Sequence, residues 1–145
     1  TLMFRNLPAA YTRDALCELL DLAGFEGAYD FVYLPRDFQT EVGLGFAFAN
    51  FASPADAERA LERLRGFRAW GVPGARACEV GWSGPEQQGL EANIERYRNS
   101  SVMHASVPED WKPLMLVGGR PAPFPSPTRR VRFPRERPGS TGAAR

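Results

Sequence analysis

The apolar positions of this chain change period along its length, and each change marks out an element. TLMFRN (1 to 6) is a short alternating run ended by Pro8. Leu16, Leu19, Leu20 and Ala23 then recur at i, i+3, i+4 and i+7, one face of a helix, with Thr12 placed to cap its start and Gly24 to end it. YDFVYL (29 to 34) reads as a second strand stopped by Pro35, and the polar loop RDFQTEVG leads into a third, GLGFAFANF (43 to 51). Ser53 is a capping residue, Pro54 suits the first helical position and Asp56 the third; Ala57, Ala60, Leu61 and Leu64 form the stripe that follows. ARACEVGW (75 to 82) is the fourth strand.

The order β-α-β-β-α-β predicts an α+β, ferredoxin-like sandwich: a four-stranded antiparallel sheet with two helices on one face. Two helices cover only one face of the sheet, so the parity of each strand decides which side chains meet solvent, a ligand or an extra element. In the third strand Leu44, Phe46, Phe48 and Asn50 share one face, and Gly45, Ala47, Ala49 and Phe51 share the other. The small residues fit beneath packed helices, which sends Phe46 and Phe48 outward. In the first strand the same choice sets Leu2 and Phe4 inward and Met3 and Arg5 outward. A strand covered on both faces, with the phenylalanines as core, is the competing reading. In the second strand Val32 and Leu34 are the better core pair, so Phe31 and Tyr33 are expected to extend the outer surface; a packed cluster at the sheet edge is the alternative. Asn50 is either a reader of a base edge or an ordinary surface amide.

Beyond the fourth strand, Leu90, Ile94 and Tyr97 recur at i, i+4 and i+7, so residues 89 to 100 are predicted to form a third, amphipathic helix. It needs an apolar dock, either the outer sheet face or the flank of the domain. Trp111, Leu114 and Met115 read as a second anchor for this extension.

Charge changes the picture at the C-terminal end. From Gly118 onward seven arginines face one glutamate, a net +6, so residues 1–117 carry −5 of the chain's overall +1. The same stretch holds PAPFPSP and RPGSTG with almost no aliphatic residues, a composition that buries too little to offset ordering entropy. A domain over 1–117 and a disordered Arg/Pro-rich tail over 118–145 are therefore expected. The two cysteines, Cys17 and Cys78, lack metal-ligand spacing and fall inside predicted elements, so both are expected as free thiols. No run approaches the ~18 apolar residues of a membrane span. The chain opens on Thr1 with no signal-peptide pattern, and reads as an excerpt of a longer protein.

GLGFAFANF resembles the octamer of the RNA recognition motif, K/R-G-F/Y-G/A-F-V-x-F/Y, at Leu44 to Phe51, and LMFRNL (2 to 7) resembles its hexamer partner. The likeness is closer to the C-terminal RNA recognition motif of the Mei-two-like proteins: its strings MxRNxPxxYTRDxL, YDFxYLPxDF and GxAFxNF are similar to Met3–Leu16, Tyr29–Phe38 and Gly45–Phe51. GLEANIERYRNSSVM (89 to 103) and WKPLM (111 to 115) resemble its C-terminal extension. The resemblance implies single-stranded RNA binding on the sheet, by stacking bases on exposed rings and bonding their edges, within an intracellular post-transcriptional or developmental regulator of the nucleus or cytoplasm. By motif position Phe46 and Phe48 are the stacking pair, with Met3, Arg5, Phe31, Tyr33 and Asn50 as further contacts. Leu44 stands where the motif is basic, Met3 where the hexamer is usually aromatic, and Ala10 where the family often has lysine. Those exchanges remove phosphate and stacking contacts.

Two other function classes are compatible with parts of the sequence. A protein-interaction module, gripping a partner through its helical face or third helix, accords with the acidic folded part, Leu44 and Ala10. An enzyme would need converging catalytic groups, but the sole histidine, His104, lies in a polar linker, and VGGR (117 to 120) is too short for a phosphate cradle. No catalytic residue, metal or cofactor is expected, nor a membrane partner.

Overall fold

The first two helices begin where the sequence supplies a side-chain oxygen for their unpaired amides. In the computed structural model, which describes residues 1–134, Thr12 Oγ1 accepts the Ala15 amide at 3.0 Å to open α1 (Arg13–Leu20). Ser53 Oγ accepts the Asp56 amide at 3.2 Å to open α2 (Pro54–Leu64), with Pro54 in the first turn. A wider-wound turn, Asp21–Phe25, prolongs α1 until Gly24, at φ 99°, ends it.

The strands are β1 (Leu2–Arg5), β2 (Tyr29–Tyr33), β3 (Phe46–Phe51) and β4 (Glu79–Trp82), followed by α3 (Leu90–Tyr97) and two further strands, β5 (Leu114–Val117) and β6 (Arg120–Ala122). They form one antiparallel sheet in the order β4-β1-β3-β2-β5-β6. The ferredoxin-like core is present as expected. Its sheet is six-stranded rather than four-stranded, because β2 would otherwise be an edge and WKPLM, expected only as an anchor, adds a strand beside it. The fourth strand is shorter than predicted: Cys78, just ahead of it, is bonded into the loop by Phe67 O and Gly66 N.

The core lies between the sheet and α1 and α2. Leu2, Phe4, Val32, Leu34, Ala47, Ala49 and Phe51 meet Leu16, Leu20, Phe25, Ala57, Ala60 and Leu64, so the predicted parity holds in β1 and β3. In β2 a register shift between Tyr29 and Phe31 turns alternation over. Tyr29 points to the helices, donating its hydroxyl to Asp21 Oδ1 at 2.7 Å, while Phe31 points the other way. Cys17 and Cys78 are free, and burial pushes both thiols up to about 11, so they stay protonated at neutral pH.

The boundary expected at Gly118 falls inside a structured unit. Gly118 and Gly119, at φ 58° and 79°, form the turn between β5 and β6. The proline-rich run that follows is tied to the end of α3: Arg98 donates to Ser126 O at 2.7 and 3.0 Å, and the Asn99 side chain bonds the Thr128 amide and hydroxyl, each at 2.8 Å. Composition pointed to disorder because it registers missing aliphatic burial. It does not register ladder and side-chain bonds to a preformed partner, nor the low chain entropy that prolines start from. Arg135, Arg137 and Arg145, part of the expected tail, lie outside the described residues. Among the described residues no helix is long and apolar enough to cross a membrane.

Candidate nucleic-acid interface

The outer sheet face, away from α1 and α2, carries all seven residues singled out from the sequence, but it is divided in two. Over β2 and the far end of β3 lies α3. Its apolar stripe includes Asn93 as well as Leu90, Ile94 and Tyr97. Tyr97 stacks on Phe31 with ring centroids 5.8 Å apart and planes at 18°, and meets Tyr33 edge-on at 4.7 Å. Phe124, from the proline-rich run, closes on Phe31 from another side at 6.5 Å. Phe31 is consequently 0% exposed, and Tyr33 is half-buried. Burial also pushes the Tyr97 hydroxyl above its ordinary pKa, and Gln87 Nε2 donates to it at 3.1 Å.

Asn50 is not a free base reader. It is 5% exposed, accepts the Thr1 hydroxyl at 2.7 Å and donates to Asp30 Oδ1 at 2.8 Å. Asn93, fully buried, donates to Thr1 Oγ1 at 3.1 Å, to Gly89 O at 2.8 Å and to Gln87 O at 3.2 Å. Gln88 Nε2 adds bonds to the carbonyls of Thr1 and Ser83. The polar network pins the start of α3 to the ends of β1 and β3, while the Tyr97 ring pins its other end to β2. Burial raises the Asp30 carboxyl above its ordinary pKa, partly countered by the Asn50 amide.

Phe48 falls on the outer parity as expected, yet it is 7% exposed. Its cross-strand neighbour Tyr33 lies under Tyr97, and its edge meets Phe46 at 5.7 Å. Three of the seven residues on this face are thus buried. Phe31 and Asn50 lie in an inner layer beneath α3, which took the outer face, not the flank, as its dock, and Phe48 is buried beside them between Tyr33 and Phe46. The apolar side of α3 is thereby turned to the sheet.

Across β1 and β4 the same face is open. Met3 and Phe46 are half-buried and Arg5 is exposed; Met3 pairs with Phe48 and Arg5 with Phe46 across the ladder. Arg5 Nη2 approaches Met3 Sδ at 3.4 Å. Gly81 and Glu79 lie opposite Met3 and Arg5 on β4, so no bulky side chain stands over Met3 from that side. Met3, Arg5 and Phe46 border an open groove of about 560 Å³ whose far wall is the 72–76 loop, ending in Arg76. Sequence reasoning missed Arg76 and that loop, which reach the site only through the fold. It also missed Asn93, although its i+3 spacing from Leu90 placed it on the apolar stripe. His104, without catalytic company in the sequence, holds the Ser106 amide and hydroxyl on its Nδ1.

The family model described as RNA recognition motif 2 matches residues 1–98. Meiosis protein mei2 of Schizosaccharomyces pombe is 31% identical over 133 residues, covering 88% of this chain and 17% of that protein. Protein MEI2-like 5 of Oryza sativa subsp. japonica is 36% identical over 104 residues, covering 72% of this chain and 12% of that protein. The chain thus spans less than a fifth of the length of either relative. Among solved structures, the Rna15 RRM with bound RNA (GU) superposes with a TM-score of 0.49 at 22% identity, over 66% of this chain and 93% of that one. With the split β-α-β-β-α-β core in place and the family model matched from its first strand into α3, this chain belongs to the RNA recognition motif 2 family.

Proposed function

We propose that the chain binds single-stranded RNA on the open half of its outer sheet face, as one module of a larger post-transcriptional or developmental regulator. The observation that carries this reading is the side-by-side placement of Phe46, Met3 and Arg5 on β1 and β3, beside a groove that α3 leaves uncovered. A base stacks on the Phe46 ring, with the Met3 thioether as a soft apolar neighbour. Arg5 bonds a phosphate or base edge from the same platform, and Arg76 offers a second positive charge across the groove. Membership of a family described by RNA recognition supports the ligand, and the names of the meiosis-related relatives support the regulatory setting.

The sealed half limits how many bases this site stacks. With one open ring in place of the two implied by the octamer, affinity rests on a short stretch of nucleotides, each stacked base contributing ~1–3 kcal/mol. Anisotropy titration with a pool of random single-stranded RNA, and the matching DNA as comparator, tests the proposal. Saturable RNA binding weakened by Phe46→Ala and by Arg5→Ala is expected. Absence of saturable binding, or binding indifferent to both substitutions, overturns it.

A further inference from the structure

The hairpin added beyond β2 builds a second groove, on the helix side of the sheet. Cross-strand register sets Leu114 level with Val32, and Pro121 level with Leu116, on the face that α1 and α2 cover elsewhere. On this face Leu116 is buried and Leu114 half-buried at the margin of the core, and Pro121 continues the apolar surface beside α1. The result is a groove of about 690 Å³, floored by Leu114, Leu116 and Pro121 and walled by α1. Arg13 fixes one end by donating to Glu109 O at 3.0 Å and Lys112 O at 2.9 Å.

Its charge selects the occupant. Four carboxylates line it: Asp14, Glu18, Asp21 and Glu109. Asp14 is matched by Arg13 at 3.0 Å and Glu109 by Lys112 at 3.5 Å. Glu18 and Asp21, both exposed, have no cationic partner among the described residues. Beside them Leu22 is 81% exposed, an apolar side chain standing in water at the lip. Unmatched carboxylates repel the phosphates of a nucleic acid and attract guanidinium or ammonium groups, while the floor takes aliphatic side chains.

We propose that this groove docks an extended segment of a partner protein in which arginine or lysine alternates with aliphatic residues. Simple strand addition to β6 is not the mode, since Pro121 has no amide to offer and Arg120 guards the same edge. The chain's own RRVRF segment, residues 129–133, has suitable composition but is held at the opposite side. Its start is bonded to Asn99, and Phe133 packs on His104 at 5.2 Å. That segment is therefore not the occupant.

Nuclear magnetic resonance titration of the isotope-labelled chain with three blocked peptides of equal length tests this: arginine alternating with leucine, glutamate with leucine, and arginine with serine. The arginine–leucine peptide is expected to saturate, moving the amides of Glu18, Leu22, Leu114 and Leu116, with the other two weaker by ~tenfold or more. Glu18→Lys, an exposed helical change whose spectrum reports that the fold is kept, should weaken that peptide by ~tenfold, leaving RNA titrations unchanged. Pro121→Lys should act in the same direction. No saturable binding, equal binding of the glutamate peptide, shifts centred on Met3 and Phe46, or indifference to both substitutions would each overturn the proposal.

Discussion

Phe46 and Phe48 sit two residues apart on one strand and one face, and they do different work. Phe48 is buried at the border of the half on which α3 holds Phe31, Tyr33 and Asn50. Phe46 belongs to the half over β1, shared with Met3 and Arg5 and left open. Alternation along a strand tells which face a ring takes. It does not tell what else has settled on that face, and here one short helix turns half of an aromatic platform into core.

The sharpest way to break this division is to truncate a ring beneath the helix. Phe31→Ala should cost ~3–5 kcal/mol, the usual range for a buried phenylalanine, and Phe48→Ala should approach it, both read as unfolding free energies in urea. A loss below about 1 kcal/mol at Phe31 would mean that α3 does not seal it, since large effects of this kind come from vacated core volume. Next in size is the polar pin. Asn93→Leu leaves Gln87 O, Gly89 O and the Thr1 hydroxyl short of a buried donor, for which ~1–3 kcal/mol of stability is expected. A neutral outcome would put the attachment of α3 in its rings alone.

On the open half the effects should move from stability to binding. Phe46→Ala is expected to weaken RNA by ~1–3 kcal/mol with a smaller change in unfolding than Phe48→Ala. If the two variants lose stability equally, the division between halves is wrong. The smallest expected effect is a pH dependence. Burial raises the Asp30 carboxyl, so between its unfolded pKa near 3.8 and its higher folded value the native state binds more proton than the unfolded chain, and stability falls as pH rises through that window. Asp30→Asn should flatten that slope in melts taken from acid toward neutrality; an unchanged slope would assign it to other groups.

Much of the core could be read from the chain because local rules and global packing agreed there. Thr12, Ser53 and Pro54 cap where they should, Leu2 and Phe4 alternate inward, and Ala47 and Ala49 admit the helices. The docking of α3 was harder to read, since Leu90, Ile94 and Tyr97 specify an apolar stripe but not its target. The contacts of Tyr97 with Phe31 and Tyr33 and of Asn93 with Thr1 choose the sheet face. Likewise a composition of prolines and arginines could not reveal β6, paired with β5, or the run after it, held by Arg98 and Asn99. The groove-facing Arg76 is remote in sequence from Arg5 and reaches it through the fold.

Hydrogen exchange of the α3 amides, with and without saturating single-stranded RNA, tests most directly whether this helix is a fixed cover. If it is, RNA leaves exchange across Glu91–Tyr97 unchanged while perturbing Met3, Arg5 and Phe46. Faster exchange in α3 on adding RNA, together with perturbation of Phe31 and Tyr33, would contradict the account: the helix would then be a gate that RNA displaces.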